Sequence, residues 1–542
     1  MLERTAETPP DDPRTAGARV AAVPAGVALT GHGLDARAVA RIAGGAPPAT
    51  VRPAALEGME RSHRAAQALA AEGTRAYGRT TGVGAHRGVT VEERDSDGHD
   101  LRLLLSHAGG IGERLPVRQV RAMMAVRANQ LLSGGSGLRP AIATAVLDAL
   151  RAGVHPPVSE YGSVGTGDLT ALAELGLALF GHGPWEHDRA DDGEPLPEPL
   201  RIERGDALAL LSSNALTLGQ SALACHDLGA LLRAAHVVAA LSLCAIDASL
   251  EAYAPEVHHA HPHPPTQRAA ARVRRLLGAS RTPWPPSPRV QDPFGFRCFP
   301  QAHGPATEAW STLDAVLAID LNSAVENPLI GWDGAGGAPS AHHHGGFFAA
   351  PLTLALDGVC LAVLGTARLS AARLSGLGRS ELTGLRSYLA DEASAGSGMM
   401  ILEYSAAAAV AEVQTCAAPA ALGHVVLSQG TEEAASFATQ AARKTLRLAD
   451  AYRLVLGCEL VAAVRALRQR GTVPDPLSAA GRAYARAAAV LNPAMEDRSL
   501  TSDVARAAAL LAEFAEFAEF AEFAEFAAAE GHTADTPTSA SL

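Results

Sequence analysis

From residue 206 to about residue 492 the chain is dominated by long alanine- and leucine-rich segments with helical periodicity, broken by Pro- and His-containing loops at 255–265 and 281–304. Segments this long and apolar can be stable in water only by burying their faces against one another, which predicts a mostly α fold built on a long central helical bundle. With 542 residues the chain has ample length for a large core. Ahead of the bundle, shorter helical patterns alternate with glycine loops at 78–88, 109–112, 134–137 and 162–167, the kind of loop in which a backbone approaches a ligand. The expected organisation is a disordered leader at 1–26, a loop-rich N-terminal α domain at 27–205, the central bundle at 206–495 and a low-complexity tail at 496–542. In the tail, Ala-Glu-Phe triplets place Phe514, Phe517, Phe520, Phe523 and Phe526 three residues apart. A period of 3 drifts around a helix of about 3.6 residues per turn, so the tail is not expected to join a specific core.

Composition narrows the function classes. A formal charge of −12 makes nucleic acid an unexpected partner. There is no phosphate loop, and Gly82, Gly84 and Gly88 miss the dinucleotide spacing. The six cysteines are scattered through apolar segments with no CxxC pair, as expected of reduced, buried thiols. The acidic, Pro-containing start does not resemble an export signal, and no apolar stretch reaches the ~18 residues of a membrane span, so a cytoplasmic protein without a membrane partner is expected. His258, His259, His261 and His263, and then His342, His343 and His344, lie among Pro, Gly and Ala. Adjacent histidines cannot all face one ion, which favours surface loops over a metal site.

The segment Tyr161-Gly-Ser-Val-Gly-Thr-Gly-Asp-Leu-Thr170 is a tight glycine loop leading into an apolar helix. Alone it reads most simply as a turn with Thr166 or Asp168 as N-cap. It does not stand alone. Ala76-Tyr-Gly-Arg-Thr-Thr-Gly-Val-Gly84, Leu105-Ser-His-Ala-Gly-Gly-Ile-Gly112, Arg127-Ala-Asn129, Ser136-Gly-Leu-Arg-Pro140, Gly153-Val-His-Pro156, Gln291-Asp-Pro-Phe-Gly-Phe-Arg-Cys298, Asn322-Ser-Ala-Val-Glu-Asn-Pro-Leu-Ile330, Ser397-Gly-Met-Met400 and Ala441-Ala-Arg-Lys444 follow in order over about 27–470. Taken together, the chain resembles the histidine and aromatic amino acid ammonia-lyases, whose members carry a self-formed methylidene-imidazolone electrophile.

That resemblance implies Tyr77 as the base for the β-proton and Arg297 as a bidentate partner of the substrate carboxylate. It also implies Gln291 near the electrophile and, by likeness to histidine-specific members, Ser106-His107 and Glu432 around the substrate ring. Further implications are a small amino acid substrate, an ammonia-lyase activity, no metal or nucleotide, and a homotetramer with sites shared between chains. The fumarase and aspartase group is disfavoured, because its Gly-Ser-Ser-x-Met-Pro signature is absent.

The sequence departs from the family pattern around one centre. Where the family forms its electrophile from Ala-Ser-Gly, this chain is one residue shorter and offers Gly165-Thr166-Gly167, whose dehydrated threonine would carry an extra methyl group. Phe294 replaces a family tyrosine, Thr80 replaces an asparagine, and Gly346-Phe347-Phe348 stands for Asn-Phe-His while keeping Phe347. The family asparagine of Asn-Gly-Thr falls on Ser212 by counting and on Asn214 by type. The expected function is therefore an amino acid ammonia-lyase, most simply for histidine. The alternatives are an aminomutase, a lyase of the same fold without the electrophile, and a catalytically silent binding paralogue.

Overall fold

The computed structural model describes residues 26–48, 51–91, 96–188, 195–279, 284–333, 337–392 and 395–532, so nearly all of the expected leader lies outside the described residues. The fold is mostly helical, as the periodicity predicts. Its frame is α1 (Val117–Leu132), α2 (Ala215–Ala245), α3 (Phe299–Asp320), α4 (Ala350–Leu377), α5 (Met400–Cys416), α6 (Ala438–Arg470) and α7 (Thr501–His532).

Helix α2 is the axis of the bundle, packed against α1, α3, α6 and α7. It has no polar stripe because almost every residue from Ala215 to Ala245 is buried, as expected of a helix surrounded by others. Small residues set how closely its neighbours approach. A Cβ added at Gly219 would stand 2.8 Å from the backbone of Ala122 on α1, and one at Gly229 would meet the Trp310 indole of α3 at 2.8 Å. Although α2 and α4 are each long and apolar enough to cross a membrane, α2 is enclosed by the bundle. Helix α4 leaves Leu354 and Leu361 exposed, and α5 adds Ile401 and Tyr404.

A buried ion pair ties the bundle together. Arg373 on α4 donates to both carboxylate oxygens of Glu459 on α6, at 2.5 and 2.7 Å, and Ser242 and Ser370 complete the shell at 2.7 and 2.5 Å. Such a pair is retained only when every polar atom has a partner, which these hydroxyls supply.

The tail corrects the sequence expectation. Its first triplets belong to α7, which packs on α2 and α6, and Phe514 is fully buried with its ring 6.0 Å from that of Phe517. Three residues turn a helix by about 300°, so successive rings are offset by only about 60°. Two neighbouring triplets therefore still share one face, and the drift matters only over a longer run.

Three antiparallel pairs of short strands pin loops to one another: Ile111–Arg114 with Ser159–Tyr161, Val154–His155 with Glu186–His187, and, from the C-terminal half, Leu329–Trp332 with Pro339–His342. These pairs, with α1 and the N-termini of α2, α4 and α6, gather the glycine loops at one end of the bundle.

Candidate active site

The loop at 162–168 is shaped by its glycines and by the start of α6. Gly165 and Gly167 adopt φ of +87° and +127°, conformations that side chains resist. The Ser436 hydroxyl donates to the Gly165 carbonyl at 2.8 Å, the Phe437 amide to the Val164 carbonyl at 2.9 Å, and Gln440 Nε2 to the Ser163 carbonyl at 2.8 Å. Helix and loop are so close that a Cβ at Gly165 would lie 2.2 Å from Ser436 Oγ. To press its helix there, Phe437 takes a left-handed φ of +56°, a local strain held by the surrounding contacts.

Asp168 is the residue at the N-cap position, but it does not cap the helix Leu169–Leu179 with its side chain. Its buried carboxylate accepts from the Thr217 amide at 2.7 Å and the Thr217 hydroxyl at 2.9 Å, anchoring the loop to α2. Burial pushes this carboxyl above the ordinary range, against the pull of those hydrogen bonds. With both flanks fixed, Thr166 remains on the wall of an open cavity.

Tyr77 faces the same space from a second glycine loop. Gly78, at φ +65°, lies where a Cβ would strike Leu208 Cδ2 at 2.0 Å, so only glycine permits this approach. The loop's own Gly84 amide donates to the Tyr77 phenolic oxygen at 2.7 Å, and the Tyr77 amide donates to His343 Nε2 at 3.1 Å. His344 supports the arrangement by contacting the Glu326 carbonyl through Nε2 at 2.8 Å, while its amide donates to Asn327 Oδ1 at 3.0 Å. Glu326 in turn pairs with the fully buried Arg127 at 2.8 Å. His343 and His344 are thus loop braces, and no cluster of metal-ligating side chains occurs among the described residues.

The cavity, of about 360 Å³, has Tyr77, His107, Thr166, Gly167, Phe347 and Glu432 on its walls, together with Ser212, Asn327, His86 and Ser428. His107 Nδ1 lies 2.8 Å from the Leu103 carbonyl, which assigns the proton to Nδ1 and leaves Nε2 as an acceptor. Glu432 is carried on a tight turn whose ends pair, Leu427 amide to Glu432 carbonyl at 2.8 Å. That turn docks on the Tyr77 loop through Ser428 Oγ, which accepts from the Ala85 amide at 3.1 Å.

Other expected residues lie elsewhere. Ser106 donates to the Leu103 carbonyl at 2.9 Å and does not line the cavity. Asn214 is buried beneath it, its Nδ2 donating to the Phe347 carbonyl at 2.7 Å, so the position reached by counting, Ser212, is the one on the wall. Gln291, Phe294 and Arg297 are not part of this chain's cavity: Gln291 and Phe294 are exposed, and the Arg297 guanidinium stacks 4.2 Å above the Phe294 ring. The neighbouring Gly295 abuts Arg373, 23 residues along α4 from its start at Ala350, which is roughly 35 Å at 1.5 Å per residue. One bundle cannot fold both ends of α4 to the same place.

Sequence reasoning did not single out Ser428, His86 or Ser436. Nothing local marks them: Ser436 stands one residue before Phe437, the N-cap of α6, and its role rests on a contact with a loop distant in sequence.

A bundle of this kind, with a tyrosine loop and a glycine-flanked hydroxyl on one cavity, defines a class. The family model for aromatic amino acid lyases matches residues 34–490, and the chain belongs to that family. It is 32% identical over 487 residues to the histidine ammonia-lyase of Geobacillus thermodenitrificans, covering 88% of this chain and 95% of that one. Among solved structures it resembles histidine ammonia-lyase from Trypanosoma cruzi, with a TM-score of 0.82, 26% identity and coverage of 91% and 95%. It equally resembles tyrosine aminomutase from Streptomyces globisporus, with a TM-score of 0.82, 25% identity and coverage of 91% and 97%.

Proposed function

We propose that this protein is a carbon–nitrogen lyase that eliminates ammonia from histidine, or from a closely related aromatic amino acid, to give an α,β-unsaturated acid. The observation that carries this reading is the convergence of Tyr77, Thr166, His107 and Glu432 on one cavity. The residues fit a self-formed imidazolone: Gly165, Thr166 and Gly167 are consecutive, and Gly165 sits in a cradle that a Cβ would fill. When formed, that group supplies an electrophile for the substrate amine.

The chain's own residues account for the rest. Tyr77, whose phenolic oxygen already accepts the Gly84 N–H, is positioned to take the β-proton. His107 Nε2 and Glu432 both present acceptors to the cavity, an arrangement that favours a ring bearing N–H or O–H donors over bare phenyl. Phe347 supplies an apolar wall for the ring.

A complete site requires a carboxylate partner, and Arg297 serves this role from a neighbouring chain of a homotetramer. In support, Arg297 Nε is buried with no hydrogen-bond partner among the described residues, and α4 and α5 leave Leu354, Leu361, Ile401 and Tyr404 exposed on helices that single chains rarely leave uncovered. All six cysteines are free and five of them, all but Cys298, are buried, which agrees with a reducing, cytoplasmic setting.

The test is product analysis with histidine, tyrosine and phenylalanine. Release of ammonia and the unsaturated acid, fastest with histidine, is expected. Glu432→Gln should raise the KM for histidine about tenfold while leaving that for phenylalanine within about twofold. A β-amino acid as the main product would mark an aminomutase, and no turnover would reject the lyase.

A further inference from the structure

The proposed prosthetic group has to be made by the chain itself, and the start of α6 is built against the bond that must react. Resting on the reading above, we propose that Ser436 is the positioning residue for this self-modification, holding and polarising the Gly165 carbonyl for attack by the Gly167 nitrogen.

The chemistry fixes what such a residue must do. A bond forms between the Gly167 nitrogen and the Gly165 carbonyl carbon. The carbonyl oxygen then departs as water with the protons of the Gly167 and Thr166 amides, leaving a C=N bond between Gly165 and Thr166. A second water takes the Thr166 hydroxyl and the Thr166 Cα hydrogen, creating the exocyclic double bond. Negative charge builds on the Gly165 oxygen in the first step, and a donor aimed there stabilises it.

The structure has one such donor among the described residues. Ser436 Oγ lies 2.8 Å from the Gly165 oxygen. Ser436 Oγ also accepts from the Ala438 amide at 3.3 Å, so its single proton is directed at the Gly165 carbonyl. Ser436 is only 5% exposed, which keeps competing water away. Its own carbonyl accepts from Thr353 Oγ1 at 2.8 Å, fixing it between α4 and α6. Behind it, the N-terminus of the 33-residue α6 adds a favourable field for an oxyanion.

The attacking partner is free. The Gly167 amide donates no hydrogen bond among the described residues, while the flanks are clamped by Ser163 Oγ on the Gly167 carbonyl at 3.1 Å and by the Asp168 amide on the Ser213 carbonyl at 2.8 Å. A loop shortened by one residue depends on this contact more strongly, because Gly165 is drawn against Ser436 closely enough to exclude any side chain.

The experiment is the mass of the intact chain and of its 160–170 peptide, followed over time after synthesis. Wild type is expected to lose two waters, and Thr166→Ala to be unable to lose the second. Ser436→Ala should slow the loss about a hundredfold or more, while Ser436→Thr, which keeps the hydroxyl, should retain it. Gly165→Ala leaves the Ser436 residue in place but puts a Cβ 2.2 Å from its Oγ, which should displace the hydroxyl from the carbonyl and also slow the loss, covering the case in which Ser436→Ala misfolds. Two waters lost at the wild-type rate by a folded Ser436→Ala or Gly165→Ala overturns the role of Ser436 and leaves the lyase reading intact. An unmodified wild-type chain overturns both this proposal and the electrophile.

Discussion

The Gly84 amide donates to the Tyr77 phenolic oxygen at 2.7 Å, closing a loop of eight residues on its own catalytic candidate. The contact fixes where the oxygen points and leaves a donor in place when the phenol gives up its proton. Replacing Tyr77 by Phe keeps the ring and removes only that oxygen. Elimination should fall by about 10²–10⁴-fold with KM changed little, and the thermal midpoint should stay within a few degrees.

The proposed sharing of the site between chains has a sharp consequence. Tyr77→Phe and Arg297→Ala should each be nearly inactive as pure proteins. Unfolding and refolding the two together should regain activity, because some mixed sites receive an intact Tyr77 and an intact Arg297 from different chains. Mixtures that stay as inactive as their parents would require both residues to act within one chain, and α4 holds them apart.

The start of the phenylalanine repeat is part of the core. Phe514→Ala should destabilise the protein by about 3–5 kcal/mol in denaturant titration, since the side chain is fully buried on a helix that packs against α2 and α6. The rest of the repeat lies beyond the described side chains.

Acid sensitivity should trace partly to Asp188. Burial pushes its carboxyl up, but the hydrogen bond with His155 at 2.9 Å and the neighbouring Arg121 guanidinium outweigh it and hold the group below its ordinary range. A carboxyl depressed on folding contributes stability above its unfolded value, near 4, and loses it as the pH falls through the folded value. Wild type should exceed Asp188→Asn in stability at pH 7, and the gap should narrow as the pH is lowered toward 3. A constant gap would assign the difference to packing.

Much of the candidate site was legible because its chemistry is carried by short local patterns. The glycines at 78, 165 and 167 mark places where a backbone must bend or approach closely, and the hydroxyl and phenol sit beside them. The choice between Ser212 and Asn214 was not legible, because two residues apart at the start of a helix point in different directions. Ser436 escaped for a related reason: its importance lies in a contact 271 residues distant in sequence.

The sequence by itself determined the helical bundle, the glycine loops and the family, since helical period, apolar content and ordered motifs are properties of the chain read in one dimension. Only the tertiary structure decided which of the expected residues share a cavity. Burial of α2 on every side fixes the ends of α4 and α6, so Thr166, Tyr77 and Glu432 are gathered at one end while Arg297 is carried to the other by the rigid length of a helix. The same packing drew Phe514 into the core, because a neighbour stood where the first rings of the repeat happened to face.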